Sequence, residues 1–572
     1  MPLTIGHSLA LVFALWLGLF LGGLGQPEIS NNEIRRIEPA MHMIQTGDWL
    51  VPRLEGDIYF NKPPMLFWLE AMAFNLAGGR SETVARLPAA LMPLALALML
   101  VTLPCRWLSP KRRLLAAVLY LGTAGVVLNG REAAIDGLFA AAAGMALFWW
   151  LTAELDGWRR FWKWLPAALI LGFALLLKGP LVLLFFYAAI LAVLGARKRW
   201  RELLAWEHAA ALTVMVAIFA AWAIPACHTI SSNRVFDLWG EEFSQTLSPQ
   251  KTAELGRWLN RMAGALTDLL PPLLFLPLLW LERFKTLHGR TNTRVARALG
   301  LASLAAILLT LLMPGAKARY VLPAAPALSL LAAWALPDWE TAAGWNRFKT
   351  LCGNRLPSIL AALAGLIAGA GMVLAADPRG RILCAVIAAA AFLAALLWLR
   401  KPRKEPGLTI CDLTIGLTAI LAVTATVTAY IMPRFIQPEM SLRHFAARIE
   451  YLVPDSARLY HVNPSRNGFR FYLHRPLYYA KAGRNIEKTT TDGFTPPDEI
   501  FYVLLLLRKA GEVNPAAYQL AGRRGVPVVD LKLGEETFLL FKMGATAEPA
   551  GPTGPIGPAR PEAAPPNRPP FP

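Results

Sequence analysis

The sequence predicts a polytopic α-helical membrane protein carrying a small C-terminal α/β unit, and three observations predict it. Of 572 residues, 55% are hydrophobic and only 17% are charged, against about 25% charged in an average soluble chain. Mean hydropathy is +0.43. Apolar stretches close to the roughly 20 residues that cross a bilayer recur from Ile5 to Met432. A soluble globule cannot hide that much apolar surface, and 19 Trp with 27 Phe exclude a disordered or fibrous chain.

The first apolar stretch, 5–25, lacks a basic leader and a small-x-small cleavage site before Gln26-Pro27-Glu28, so it reads as a retained span. Further spans are expected at 84–104, 114–130, 133–153, 165–177, 180–196, 209–226, 265–281, 298–313, 321–337, 358–375, 382–399 and 408–432, about thirteen in all. The net charge of +19 sorts by loop. Arg106 with Lys111–Arg113, then Arg159–Lys163, Arg197–Arg201, Arg283–Arg297 and Arg400–Lys404 fall in alternate connections. Basic loops collect on the cytoplasmic side. The opposite, outer side then holds the loops 26–83 and 227–263 and everything after 432. Thirteen spans place the N-terminus inside and the C-terminus outside. Because the charge is spread over these loops, with no basic and aromatic-interleaved domain, a nucleic-acid partner is not expected.

Residues 1–432 therefore form the expected membrane domain and 433–543 a small outer α/β domain, with a helix near 440–452 and strands at 457–462, 500–507, 527–532 and 537–542. Residues 544–572 are a Pro/Gly/Ala-rich tail without packing potential, expected to be disordered. The five cysteines show neither metal-ligand spacing nor a disulfide framework.

Chemistry concentrates on the outer side. The 26–83 loop is far longer than a connector, and such loops are usually functional. It carries Asn32-Glu33-Ile34-Arg35-Arg36, Gly47-Asp48-Trp49 and Tyr59-Phe60-Asn61-Lys62-Pro63-Pro64, then an apolar 65–77 segment expected to lie in the membrane interface. Asp136 sits one turn inside the fourth span, where a carboxylate is either functional or a helix cap. Lys178 ends span five, and Lys317, Arg319 and Tyr320 open span ten. Each cation alone could be a snorkelling anchor. Together they suit an amphipathic ligand bearing phosphate.

These residues carry a resemblance. Asn32 through Pro64, Asp136, Lys178-Gly179-Pro180 and Lys317 through Pro326, with Phe469 through Pro476 further on, resemble the bacterial aminoarabinose transferases and the related protein O-mannosyltransferases of the GT-C fold. The resemblance spans roughly residues 5–432. It implies a glycosyltransferase using a polyprenyl-phosphate-linked sugar at the outer face of a bacterial inner membrane, with an envelope lipid, glycan or protein as acceptor. It further implies catalytic carboxylates at Glu33 and Asp136, with Asn32 standing where the family carries Asp. Lys62, Arg35, Tyr320, Lys317, Arg319, Lys178 and either Arg257 or Arg261 would bind the donor phosphate. A divalent metal ion, where one is used, would sit on Glu33 and Asp136. A lipid-linked substrate transporter and a non-catalytic lipid-binding homologue are the competing readings. Transport is disfavoured because no internal repeat is visible and the key charges lie at span ends.

Overall fold

The computed structural model describes residues 4–230, 240, 255–313, 315–336, 356–375, 378–400, 410–431, 440–462, 468–480, 488–489, 499–507, 519–520, 523–533 and 536–544. Parts of the expected 227–263 loop, the basic cluster at 401–404 and the tail beyond 544 lie outside the described residues.

Among the described residues the membrane region comprises the helices α1 Ile5–Trp16, α2 Asn31–Thr46, α3 Met65–Ala77, α4 Glu82–Thr102, α5 Pro110–Leu121, α6 Ala124–Gly130, α7 Ile135–Leu155, α8 Arg160–Lys178, α9 Leu181–Arg197, α10 Trp206–Ile230, α11 Leu255–Asp268, α12 Glu282–Leu312, α13 Ala325–Ala335, α14 Leu356–Leu374, α15 Pro378–Arg400 and α16 Ile410–Ile431. Among the described residues seven helices are long and apolar enough to cross a membrane, and two bent pairs bring the number to nine.

Two of the expected spans are not straight among the described residues. The expected span at 114–130 is two helices, α5 and α6, bent by 60°. The span at 265–281 is the end of α11 followed by a 3₁₀ segment, Pro272–Trp280, at 83°. Hydropathy over a window cannot see these breaks. Pro271 and Pro272 make the second one, since neither can donate a helical hydrogen bond. Ile5–Leu21, Leu181–Arg197 and Ser358–Leu374 are apolar but shorter helices, and 321–337 divides into the 3₁₀ turn Ala318–Ala324 and α13.

Helix α7 is the axis of the bundle, with 83% of its apolar window buried inside the protein. Charged groups mark both its ends. In its first turn Asp136 meets Lys178 and Arg319. In its last, Glu154 accepts from Lys163 Nζ at 2.9 Å, and the same ammonium reaches Glu202 at 2.8 Å. Eighteen residues of helix separate the two carboxylates, about 27 Å at 1.5 Å per residue, close to the hydrocarbon thickness of a bilayer.

The first helix packs on the last through small residues. A Cβ on Gly18 would stand 2.9 Å from the Ala422 Cβ, and one on Gly22 would stand 2.0 Å from Thr426 Oγ1. Thr426 Oγ1 donates to the Gly18 carbonyl at 3.1 Å. Two glycines four residues apart let two helix backbones approach closely, the usual small-residue contact inside membranes. Gly22 ends a π-helical turn at Leu17–Leu21. The carbonyls of Leu19 and Gly22 there accept from the two terminal nitrogens of Arg131, both at 2.7 Å.

Beyond the membrane helices, α17 (Leu442–Leu452) precedes a seven-stranded mixed sheet of β3 Arg458–Val462, β4 Leu477–Ala480, β5 Lys488–Thr489, β6 Phe501–Leu507, β7 Gln519–Leu520, β8 Arg523–Leu533 and β9 Glu536–Met543, the short β1 Arg53–Leu54 and β2 Asp57–Ile58 forming a separate hairpin. The strand order is β4-β3-β6-β9-β8-β7-β5. Strands β4, β3 and β6 run parallel, and β9 and β8 add antiparallel. The helix and four strands expected here are present. The outer strands β4, β7 and β5 are additional to that expectation; β5 and β7 are two residues long, too short to show alternation.

The sheet unit is tied to the 26–83 loop. Glu28 caps α17, accepting from Ser441 Oγ and Leu442 N at 2.6 Å each. Tyr472 Oη accepts from Ile29 N at 2.9 Å, and Arg80 donates to the Leu473 carbonyl at 3.2 Å. Arg470, buried, forms a bidentate pair with Glu38 of α2. Phe471 enters the apolar cluster of Ile37, Phe67, Phe74 and their neighbours.

Substituting Gly22→Ala should destabilise the membrane bundle by about 1–3 kcal/mol, the ordinary cost of overpacking. Thr426→Ala in the same chain should restore part of it. Thermal unfolding of the single and double variants in detergent micelles is the check; additive losses would remove the contact from the account.

Candidate active site

The site starts at the N-terminus of α2. Ser30 caps this helix: its Oγ accepts from Glu33 N at 3.3 Å, and Glu33 Oε2 accepts from Ser30 N at 2.9 Å, the reciprocal arrangement of a capping box. Glu33 is buried beneath the cap. It also accepts from Arg86 Nε at 2.7 Å, from Arg86 Nη2 at 3.0 Å and from Ala133 N at 3.0 Å. Burial pushes this carboxyl up, but Arg86 and the backbone donors at Ser30 and Ala133 outweigh it and hold it below the usual range.

Arg86 uses the whole of its guanidinium. Besides Glu33, it donates to the carbonyls of Leu24 (2.7 Å), Pro27 (2.8 Å) and Glu28 (3.0 Å). Five contacts match the five N–H groups of an arginine.

Asp136 forms the second centre. It does not cap α7: its oxygens receive Lys178 Nζ and Arg319 Nε, the latter at 2.8 Å. Lys178 is not a snorkelling anchor either. Its side chain is 7% exposed, with the ammonium turned inward to Asp136 and lying 3.5 Å from the ring centroid of Tyr320, a cation–π contact. Lys62 and Arg319 are the other cations whose fields reach it. Lys317 is held below the ordinary lysine range by burial first and then by Arg319, Arg35 and Arg36. The structure thus brings together Arg35, Lys62, Lys178, Lys317, Arg319 and Tyr320, drawn from four separate stretches of sequence. Arg36, which donates to Tyr59 Oη at 2.9 Å, joins them.

Other expected residues lie differently. Asn32 is exposed on the first turn of α2. Arg261 donates to the Met313 carbonyl at 2.8 Å, fastening α11 to the end of α12, and Arg257 is exposed on the same helix. Asp48 closes its loop by accepting from Leu50 N and Val51 N, both at 3.1 Å.

A cleft of about 330 Å³ opens beside the Asp136 centre, lined by Leu128, Asn129, Glu132, Asp268, Lys317, Ala318 and Arg319. Sequence reasoning missed Arg86, Asn129, Glu132 and Asp268. Arg86 had a signal, because an arginine in the first turn of an apolar span demands a partner. The others gave none, since only the folded chain brings the α6–α7 turn to α11 and the 317–319 segment.

The residues do not fit a divalent ion. Glu33 and Asp136, its expected ligands, already serve Arg86 and the Lys178–Arg319 pair, and the surrounding cations would repel a further positive charge. Among the described residues no three His, Cys, Asp or Glu side chains gather as a metal group.

The fold is a helical membrane bundle with a cation-lined cleft at the end of its spans. In sequence the chain is similar to aminoarabinose transferases and to a mannosyltransferase family. Residues 61–224 match the dolichyl-phosphate-mannose-protein mannosyltransferase family. The undecaprenyl phosphate-α-4-amino-4-deoxy-L-arabinose arabinosyl transferase of Pectobacterium atrosepticum is 32% identical over 219 residues, 37% of each chain. Transferase 2 of the same description from Sodalis glossinidius is 31% identical over 202 residues, 34% of this chain and 36% of the relative. The chain thus matches little more than a third of the length of these relatives. The crystal structure of ArnT from Cupriavidus metallidurans bound to undecaprenyl phosphate shares the fold, with a TM-score of 0.66 at 18% identity over 96% of this chain and 100% of that one. Its apo state gives 0.61 at 18% identity, over 95% and 98%.

Replacing Arg86 by Ala strands a buried carboxylate and should cost about 3–5 kcal/mol. The pH dependence should invert with it. In the native chain the Glu33 carboxyl lies below its ordinary value of 4.5, so its stabilisation is present above that pH and is lost as pH falls through the lowered value. In the Ala variant burial is opposed only by the backbone donors of Ser30 and Ala133, the carboxyl rises, and acidification should recover stability. Thermal unfolding followed from about pH 6 to about pH 3 separates the two slopes. Chelator treatment should leave any transfer activity unchanged, since both expected metal ligands are committed to cations; a loss restored by added magnesium would contradict that.

Proposed function

We propose that the chain transfers a sugar from a polyprenyl-phosphate-linked donor to an envelope acceptor (a lipid A-like lipid, a glycan or a protein) at the outer face of a bacterial inner membrane. The N-terminus would be cytoplasmic, and the sheet unit at 433–543 would stand on the outer side as a periplasmic domain. The observation that carries this reading is the convergence of Lys178, Arg319, Lys317, Arg35, Arg36 and Lys62 around one carboxylate, beside an open cleft, at the end of the membrane-spanning helices. The names of the relatives support a donor on undecaprenyl phosphate carrying an aminopentose.

The chemistry asks for such a cluster. The donor links its anomeric carbon to a phosphate that carries one negative charge. An acceptor hydroxyl oxygen attacks that carbon from the opposite face, the carbon–oxygen bond to phosphate breaks, and the electron pair leaves with the phosphate. Configuration inverts, and polyprenyl phosphate departs with a second negative charge. Cations placed at that phosphate therefore interact more strongly with the transition state than with the donor, the condition for catalysis. Asp136 keeps Lys178 and Arg319 side by side, where the two like charges would otherwise repel. Phosphate leaves readily, so no protein acid is required on that side. The acceptor's proton needs a carboxylate, for which the sequence offered Glu33 and Asp136.

Lys178→Ala, Arg319→Ala and Lys62→Ala should each weaken undecaprenyl phosphate binding roughly tenfold, about 1.4 kcal/mol, and slow transfer at least as much. Titration of the purified full chain with undecaprenyl phosphate reads the first effect. Mass spectrometry of envelope lipids and glycans from cells with and without the protein reads the second, as a pentose- or hexose-sized addition. Unchanged binding and transfer in all three variants would overturn the proposal.

A further inference from the structure

The carboxylates nearest the cationic centre are not equally able to take a proton. Glu33 accepts four hydrogen bonds and is sealed under the α2 cap. Asp136 is closed by Lys178 and Arg319. Using either as a base would mean breaking ion pairs that hold the site together. Glu132, in the turn between α6 and α7, differs. It is exposed, it lines the 330 Å³ cleft, and among the described residues its carboxylate has no hydrogen-bond or ion-pair partner. It stands one residue from Ala133, whose N–H holds Glu33, and four from Asp136, so the turn that carries it is fixed on both sides.

We infer that Glu132 is the general base, taking the acceptor hydroxyl's proton as that oxygen bonds to the anomeric carbon and the phosphate leaves. This deepens the transfer reading above and rests on it. The cleft supplies the geometry: Lys317 and Arg319 line one side for the departing phosphate, and Glu132 shares the same space with Asn129 and Asp268. An acceptor entering the cleft meets the unpaired carboxylate and the cations together. The field around Glu132 suits the task. It is faced by Glu33 on α2, Arg86 on α4, Asp136 on α7, Asp268 on α11, and Lys317 and Arg319 on the segment before α13. Although the residue is open to the cleft, the cleft walls partly desolvate its carboxyl; that first, then Glu33 and, less strongly, Asp136, raise its proton affinity, Arg319 and Arg86 oppose them, and the balance is upward. A base works best when its proton affinity approaches the working pH.

The test uses membrane vesicles from cells producing the full chain, which carry their own donor and acceptor, with product followed by mass spectrometry across pH. Purified protein is titrated in parallel with undecaprenyl phosphate. Glu132→Gln keeps the shape and should slow product formation about 100-fold or more, within the range for loss of a general base, while undecaprenyl phosphate affinity stays within about twofold of native. Glu132→Asp should retain part of the rate and displace the acidic limb of the pH profile. Product formation by Glu132→Gln at the native rate overturns the inference and leaves the transfer reading standing. Loss of undecaprenyl phosphate binding together with turnover also overturns it, because Glu132 would then be shaping the site. Native vesicles that form no sugar-bearing product, with native protein that binds no undecaprenyl phosphate, overturn the transfer reading itself.

Discussion

One guanidinium holds the outer end of the bundle together. Arg86 rises from the second turn of α4 and spends all its donors on the chain leaving α1 and on Glu33 of α2. Glu33 passes the constraint on to Ala133, in the turn that leads to Asp136. Three stretches far apart in sequence are thereby fixed around one ion pair. Without Arg86, Glu33 would be a buried charge and the carbonyls of Leu24, Pro27 and Glu28 would lose a common donor, so the pair is bound up with local backbone satisfaction as well as charge. The Asp136–Lys178–Arg319 centre stands on this platform. The 26–83 loop is equally dependent on it, since α2 begins at the capped Ser30.

Much of this was legible in the sequence, for physical reasons. Long apolar stretches announce spans because bilayer thickness sets their length. The outer cations stood out because a charge at a span end needs a reason, and Asp136, Lys178 and Arg319 do meet. What hydropathy could not supply was direction. Pro271 and Pro272 turn a plausible span through 83° without changing its average character. Glu33 looked like a free carboxylate in a loop because its partner, 53 residues away, belongs to another helix. Glu132 sat in a tight turn and was invisible until α11 and the 317–319 segment closed a cleft beside it. The sheet was readable only in strands long enough to alternate.

Charge in this protein is arranged in layers. At one end of α7 the Glu154–Lys163–Glu202 network pairs two carboxylates with one buried ammonium, and Arg199 joins both acids. Arg160 and Arg197 add to the same two acids, so each of these cations is committed to a carboxylate. At the other end the Asp136 ion pairs border an open cleft. That difference along one helix separates an anchoring layer, closed on itself, from a layer that faces open space.

The contact of Gly18 and Gly22 with Thr426 has a consequence for biosynthesis. Its two sides are 408 residues apart along the chain. At roughly 5–20 residues per second of translation, the first helix occupies the bilayer for about 20–80 s before its partner exists. Over that interval its glycine face, too bare to attract lipid or neighbour strongly, remains a vacancy, and closing it completes a ring in which the earliest and latest segments of the bundle are neighbours.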